Sequence, residues 1–422
     1  MTDGCGVPQG SMTEKADRLG NSPDSRLFCA VNKKEEFFMN KDNLEVASIA
    51  LDVKKIRKHL HMYPELSGQE YKTSKYIKDM LDSFGIPSEI IGATGVIGTI
   101  SVDKSYPTIA VRAEIDALPI TEQTKADFQS RNPGVMHACG HDGIAATALG
   151  LANLLNSHKE ILKCNVRFLF EPAEEIGQGA KALIKAKALE NPKVDKIIVF
   201  HYTNSQPIGM EIQSGISTAI IGKIAITIKG KSSHWGERKN GIDAISVSAK
   251  VISAIDSIND SYPSQLPFVI GIGTIHGGIR NNIMADSVEM EGTLRAFQSD
   301  GFRAIFNCLK SKTEQIASET HAEIKVSLLS QMPAICNSPD LVKIGLSTGK
   351  EIFGNRCILG NQPYLAGDNA AYYFQLVKGL RIVFFAKKHD EENYPLHNSK
   401  FDFDEDIFPC AIATLYNLIT SR

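Results

Sequence analysis

Short apolar runs that stop abruptly at polar residues constrain this chain most. VRFLF (166–170) runs into Glu171, KIIVF (196–200) runs into His201, and LRIVFFA (380–386) is a third run of the same kind. Runs this short, without apolar/polar alternation, fit strands buried on both faces. Further strands are expected near 96–102 and 108–115, and IAATALGLANLL (144–155) reads as a buried helix. Upstream, 44–62 has helical apolar spacing and is stopped by Tyr63-Pro64-Glu65. A second amphipathic helix, about 70–84, ends before Gly85. Helix between strand and strand predicts an α/β fold with a mainly parallel sheet covered on both sides.

From about residue 220 the rhythm changes. GKIAITIKG is a strand, IDAISVSAKVISAIDSI a helix, and PFVIGIGTIHG and DSVEMEGTLRAF are successive strands. GFRAIFNCLKSKTEQIASETH is a helix and AEIKVSLLS a last strand. The order β-α-β-β-α-β is that of a small ferredoxin-like α+β unit. After about 330 the α/β pattern resumes and closes with a helix near 405–420. We therefore expect a tail at 1–40, a first domain in two parts (41–219 and 331–422), and a second domain inserted at 220–330. A chain of 422 residues is long enough for two domains.

The formal net charge of −2 provides no field for nucleic acid or an anionic membrane surface. No apolar run approaches the roughly 18 residues of a membrane span. The first 40 residues are polar and rich in Gly, Ser and Asp, without the apolar centre of a secretory signal, so a disordered tail and a cytoplasmic location are expected. Met12 and Met39 are candidate alternative starts. The eight cysteines show no disulfide-framework spacing, which suits a reducing compartment.

Open α/β sheets place their sites at the carboxyl ends of strands. HACGHD (137–142) follows the expected strands near 96–102 and 108–115, and in an extended segment Cys139 and His141 point to one side. Thiolate and imidazole are good ligands for zinc and its neighbours, although such a run is also ordinary loop. FEPAEE places Glu171, Glu174 and Glu175 at a strand end. A cation would relieve their mutual repulsion, and an acidic first helical turn accounts for them equally well. His201 ends the next strand. His397 lies in a polar loop, where a histidine is usually solvated. Together Cys139, His141, Glu175, His201 and His397 exceed what one tetrahedral zinc needs, so two ions are plausible.

Seven segments in order, HLHMYPELSGQE, AVRAEIDALPI, GVMHACGHDG, FEPAEE, SSHWG…GIDAI, GTLRAF and PLHNSKFDFDED, cover about residues 45–420. In these the chain resembles the aminoacylase/carboxypeptidase family of di-metal amidohydrolases (metallopeptidase family 20), in the branch of hippurate hydrolases and plant auxin-conjugate hydrolases. The resemblance implies a zinc-peptidase-like catalytic domain with an inserted lid and dimerisation domain, and hence a homodimer. It implies Cys139, His141, Glu175, His201 and His397 as ligands of two divalent ions (Zn, Mn or Co), and Glu174 as catalytic base. It also implies that His234 reaches the partner subunit's site to hold the developing oxyanion. Asn282 and Arg295 then hold the substrate, the guanidinium fork suiting a carboxylate. Read from residues alone, Arg295 is equally a surface charge on a strand and Asn282 a turn residue.

The chain departs from the family pattern at Ile144, where a histidine is usual, and at Glu114, where an aspartate is common. Asp368-Asn369-Ala370 replaces Glu-Asp-Phe, and WGERKN after His234 brings in Trp235, the only tryptophan. These departures touch the substrate pocket and leave the implied ligands and base in place. The expected activity is metal-dependent hydrolysis of N-acyl amino acids or related small amides. A dipeptidase or carboxypeptidase of the same fold is the alternative, and a non-catalytic metal-binding scaffold the remote one.

Overall fold

The computed structural model describes residues 41–389 and 391–420; the tail expected at 1–40 lies outside them. The chain begins with α1 (Lys41–Met62) and α2 (Tyr71–Ser83), then β1 (Ser88–Ile91), β2 (Gly95–Ile100), β3 (Thr108–Glu114) and α3 (His141–Ser157). β4 (Asn165–Glu171), α4 (Gly179–Lys185), β5 (Lys196–Thr203) and β6 (Gly209–Gln213) follow. The second unit comprises β7 (Ile220–Lys229), α5 (Ala244–Ser261), β8 (Val269–Gly277), β9 (Ser287–Ala296), α6 (Ser299–Thr320) and β10 (Glu323–Met332). The chain then returns through α7 (Pro339–Phe353), β11 (Cys357–Gly360), α8 (Ala371–Phe374), β12 (Lys378–Phe385) and α9 (Ile407–Thr420).

The large sheet has the order β1-β2-β4-β3-β5-β12-β6-β11. Its centre, β4-β3-β5-β12, is parallel, so the carboxyl ends of these four strands share one rim. Antiparallel pairs flank the centre, β2 with β4 on one side and β6 with β12 on the other. All seven residues of β4 are buried, as its unbroken apolar run requires. Alternate residues serve opposite faces. Val111, Phe168, Phe170, Ile198 and Phe200 join the core under α1, α3 and α9. Ala110, Leu169, Ile197 and Val199 face the thinner layer that includes α4 and α8.

The smaller sheet, β10-β7-β9-β8, is antiparallel throughout. Its strands alternate instead, since only one face is covered: Ile224, Ile226 and Ile228 of β7 pack under α5 and α6. The fold is thus the expected α/β body carrying a ferredoxin-like insertion. The two connections run side by side, with Ser217 N–H donating to the Ile335 carbonyl at 2.8 Å and Asn337 N–H to that of Gly215 at 2.7 Å. Among the described residues no helix is long and apolar enough to cross a membrane.

Candidate metal centre and its surroundings

The rim of the parallel strands gathers the chemistry. Cys139 ends the loop before α3, and Gly140 (φ +81°) turns the chain so that His141 opens the helix. The expectation of an extended Cys139–His141 segment is thereby modified: the helix starts three residues earlier than its apolar run. A left-handed glycine, rather than strand alternation, brings the two side chains together. β5 likewise extends beyond His201 to Thr203, because β12 continues to pair with it through Val383 and Phe385.

Three overlapping groups have donor atoms within 4.8 Å of one another: Cys139, His141 and His201; Cys139, Glu175 and His397; and His141, Glu174 and Glu175. His201 Nε2 lies 3.6 Å from Cys139 Sγ. Glu175 Oε1 lies 3.5 Å from His397 Nε2 and 3.9 Å from His141 Nε2. This oxygen is buried and has no hydrogen-bond partner among the described residues, an arrangement that costs free energy unless a cation or donor meets it.

The outer contacts turn the donors inward. His201 Nδ1 donates to the Tyr202 carbonyl at 2.7 Å, and His141 Nδ1 donates to the Asp116 carbonyl at 2.9 Å, so each ring presents Nε2 to the cluster. Burial, with His141 and Arg381 nearby, lowers the His201 pKa to about 3, which keeps the imidazole neutral. Burial pushes the Cys139 thiol up to about 12. It also raises Glu174 well above the carboxylate range, reinforced by Asp368. Burial opposes charge on His141, yet Cys139 and Asp116 raise its pKa well above the ordinary value. Soft and borderline donors and an unsatisfied buried oxygen fit divalent ions of the zinc type.

Glu174 is held differently from its neighbour. Its Oε1 is 3.4 Å from the Asn369 amide nitrogen. Behind it Arg112, fully buried, makes a forked contact with Glu171 at 2.9 and 3.1 Å. Arg112 also bonds Asn369 Oδ1 at 2.9 Å, pairs with Asp368 at 3.4 Å and contacts Glu114. The departures at Glu114, Asp368 and Asn369 therefore meet on one guanidinium. Ile144, by contrast, is ordinary core.

The residues expected on the insertion are not drawn into the donor cluster within this chain. His234 is exposed, and its Nδ1 accepts the Gly236 N–H at 3.1 Å. Asn282 is exposed in the β8–β9 connection, next to Ile283, which bridges His234. Arg295 on β9 does reach the catalytic half: its Nη1 donates to the Leu365 carbonyl at 2.8 Å.

Sequence reasoning missed Asp116. Its Oδ1 is 3.1 Å from His141 Nδ1, and its Oδ2 accepts the Glu175 N–H at 2.9 Å. It lies just past the end of β3, so the strand-end rule applied to Glu174 and His201 would have found it.

Comparison with known proteins bears on this geometry. Residues 110–421 match the model described as Peptidase family M20/M25/M40. The chain is similar to an N-acetyl-L-cysteine deacetylase of Bacillus subtilis, 34% identical over 366 residues, covering 86% of each chain. It is similar to thermostable carboxypeptidase 1 of Saccharolobus solfataricus, 34% identical over 363 residues, covering 83% of this chain and 90% of that one. Among solved structures, a dinuclear metal-binding peptidase of the M20 family from Bacillus subtilis superimposes with a TM-score of 0.77 at 30% identity. That match covers 89% of this chain and 98% of the other.

Proposed function

This chain belongs to peptidase family M20/M25/M40, and from that membership we propose that it is a di-metal amidohydrolase that removes the acyl group from N-acyl amino acids. Cys139, His141, Glu175, His201 and His397 are the ligands in this reading. The observation that supports it is the convergence of their donor atoms around the unpartnered Glu175 oxygen.

Divalent ions at such a centre supply Lewis acidity, lowering the pKa of water toward neutrality and polarising the scissile carbonyl. Glu174, beside a ligand but turned toward Asn369, takes the proton of the attacking water and delivers it to the departing amine. Asp116 holds His141 and the Glu175 backbone in register. Arg295 takes the substrate carboxylate, Asn282 helps to hold the substrate, and His234 serves the oxyanion of a partner subunit. A homodimer would form through the insertion, whose edge strand β8 has its outer side unpaired among the described residues. A cytoplasmic location is supported by the described cysteines, which are free thiols.

The kinship with a carboxypeptidase favours a second reading, cleavage of a peptide bond by the same groups. A screen of Zn-, Mn- and Co-loaded protein against N-acyl amino acids and dipeptides, scored by amine release, separates the two. The deacylase reading expects the N-acyl amino acids to give the higher kcat/KM. Preference for dipeptides would replace it with the peptidase reading, and turnover of neither would refute both.

A further inference from the structure

HLHMYPELSGQE (59–70) runs from the last turn of α1 to the start of α2 and precedes residue 110, where the family match begins. Its last residues nevertheless grip the turn that carries the two catalytic-site glutamates. Glu70 is fully buried. Its Oε1 accepts the N–H of Gly68 at 2.7 Å and that of Ala173 at 2.8 Å, while Oε2 accepts the Thr94 hydroxyl at 2.6 Å. Ser67 Oγ donates at 2.7 Å to Asp116 Oδ2, the same oxygen that accepts the Glu175 N–H.

Ala173 is the point of leverage. Its φ is +53°, the left-handed region that an alanine side chain disfavours. In that conformation its carbonyl turns to accept the N–H groups of Gln178 and Gly179, at 3.1 and 3.2 Å. Its own N–H would be a buried, unpaired donor without Glu70. Beyond this reversal the adjacent carboxylates point apart, Glu174 toward Asn369 and Glu175 toward His141 and His397.

Resting on the assignment of Glu174 as base and Glu175 as ligand, we propose that Glu70 is a positioning residue: its carboxylate holds the Ala173 amide and so fixes the left-handed turn that separates the two glutamates. A residue that merely capped the Ser67–Glu70 turn would leave metal binding unaffected.

The test uses full-length protein stripped with a chelator, then titrated with Zn²⁺ against a chromogenic competitor, with kcat and KM measured on the reloaded enzyme. Glu70→Gln keeps an oxygen for Ala173 and should stay close to wild type. Glu70→Ala should keep its far-ultraviolet circular dichroism but lose about 10–100-fold in Zn²⁺ affinity, the usual cost of removing an outer-sphere support, with kcat falling more than KM changes. Ala173→Gly, which adopts the left-handed turn without strain, should recover part of that loss in the Glu70→Ala background. Wild-type affinity and kcat in Glu70→Ala overturn the proposal, as does a loss that Ala173→Gly leaves untouched. Should Glu70→Ala not fold, Ala173→Val strains the same turn with Glu70 in place, and wild-type Zn²⁺ affinity there overturns the proposal equally. Wild-type protein that takes up no Zn²⁺ would instead refute the metal-centre reading beneath it.

Discussion

Glu174 and Glu175 are adjacent in sequence, yet they sit in different surroundings. Glu175 presents an unpartnered oxygen to His141 and His397, with its backbone fixed by Asp116. Glu174 faces Asn369, Asp368 and the Arg112 guanidinium. Glu174→Gln is therefore expected to retain its metal and lose about 10²–10⁴-fold in kcat, the range typical of a general acid–base group. Glu175→Gln is expected to lower metal content measured by inductively coupled plasma spectrometry. If the two variants behaved the other way round, base and ligand would have to be exchanged. The carboxylates themselves were legible in the sequence because FEPAEE follows a buried strand. Their division of labour was implied there only by the family resemblance, because the partners that distinguish them, as distant from Glu174 as Asn369, 195 positions away, lie outside any local pattern.

α1 and α3 are joined by a buried polar cluster that also reaches the segment before α9. Asp142, in the first turn of α3, accepts from Arg57 Nε at 3.0 Å and lies 2.9 Å from His61 Nδ1. Arg57 also bonds Glu405 at 3.0 Å and Asp402, and stacks 3.9 Å from the Phe403 ring. A Cβ at Gly143 would overlap that ring, so the helix, the phenylalanine and the arginine fit only with glycine there. Burial opposes a charge on His61, but Asp142 and Glu122 outweigh it, together with the opposing Arg57, and raise its pKa to about 9. His137, buried 6.4 Å away by ring centroids, is held near 4 by burial and adds no charge at neutral pH.

The unfolded His61 value is near 6.5, so folding favours its proton. That stabilisation is complete below about pH 6.5 and is lost as pH rises through about 9. Thermal melts of wild type between pH 7 and 10 should show a decline that His61→Gln lacks. Parallel curves for the two proteins would contradict the charged His61. Apolar periodicity identified both helices, yet it placed the start of α3 at Ile144. The true start is set by Gly140 and by Asp142's partners 85 and 81 positions upstream, which no local pattern encodes.

At the scale of the whole molecule, the unbroken apolar runs of β4 and β12 announced a covered sheet. The structure contains it, beside a smaller sheet whose strand β7 is buried on one face only. The insertion's role is harder to read because His234, Asn282 and Trp235 are exposed within a single chain. If His234 acts across a dimer, mixing His234→Ala with Glu174→Gln subunits should restore part of the activity that each homodimer lacks, since one site of every hybrid then holds both intact groups. No recovery after confirmed subunit exchange would confine His234 to its own chain. Trp235 fluorescence should also shift when a substrate analogue binds, if the insertion closes over the site.

If the donors on the strand rim hold the ions on which hydrolysis depends, the most direct test follows amine release from an N-acyl amino acid while Zn²⁺ is added stepwise to metal-free protein. The rate should start near zero and climb to a plateau at about two equivalents per subunit, the number suited to this donor set. Full hydrolysis in the metal-free protein, unchanged as Zn²⁺ is added, would contradict that dependence.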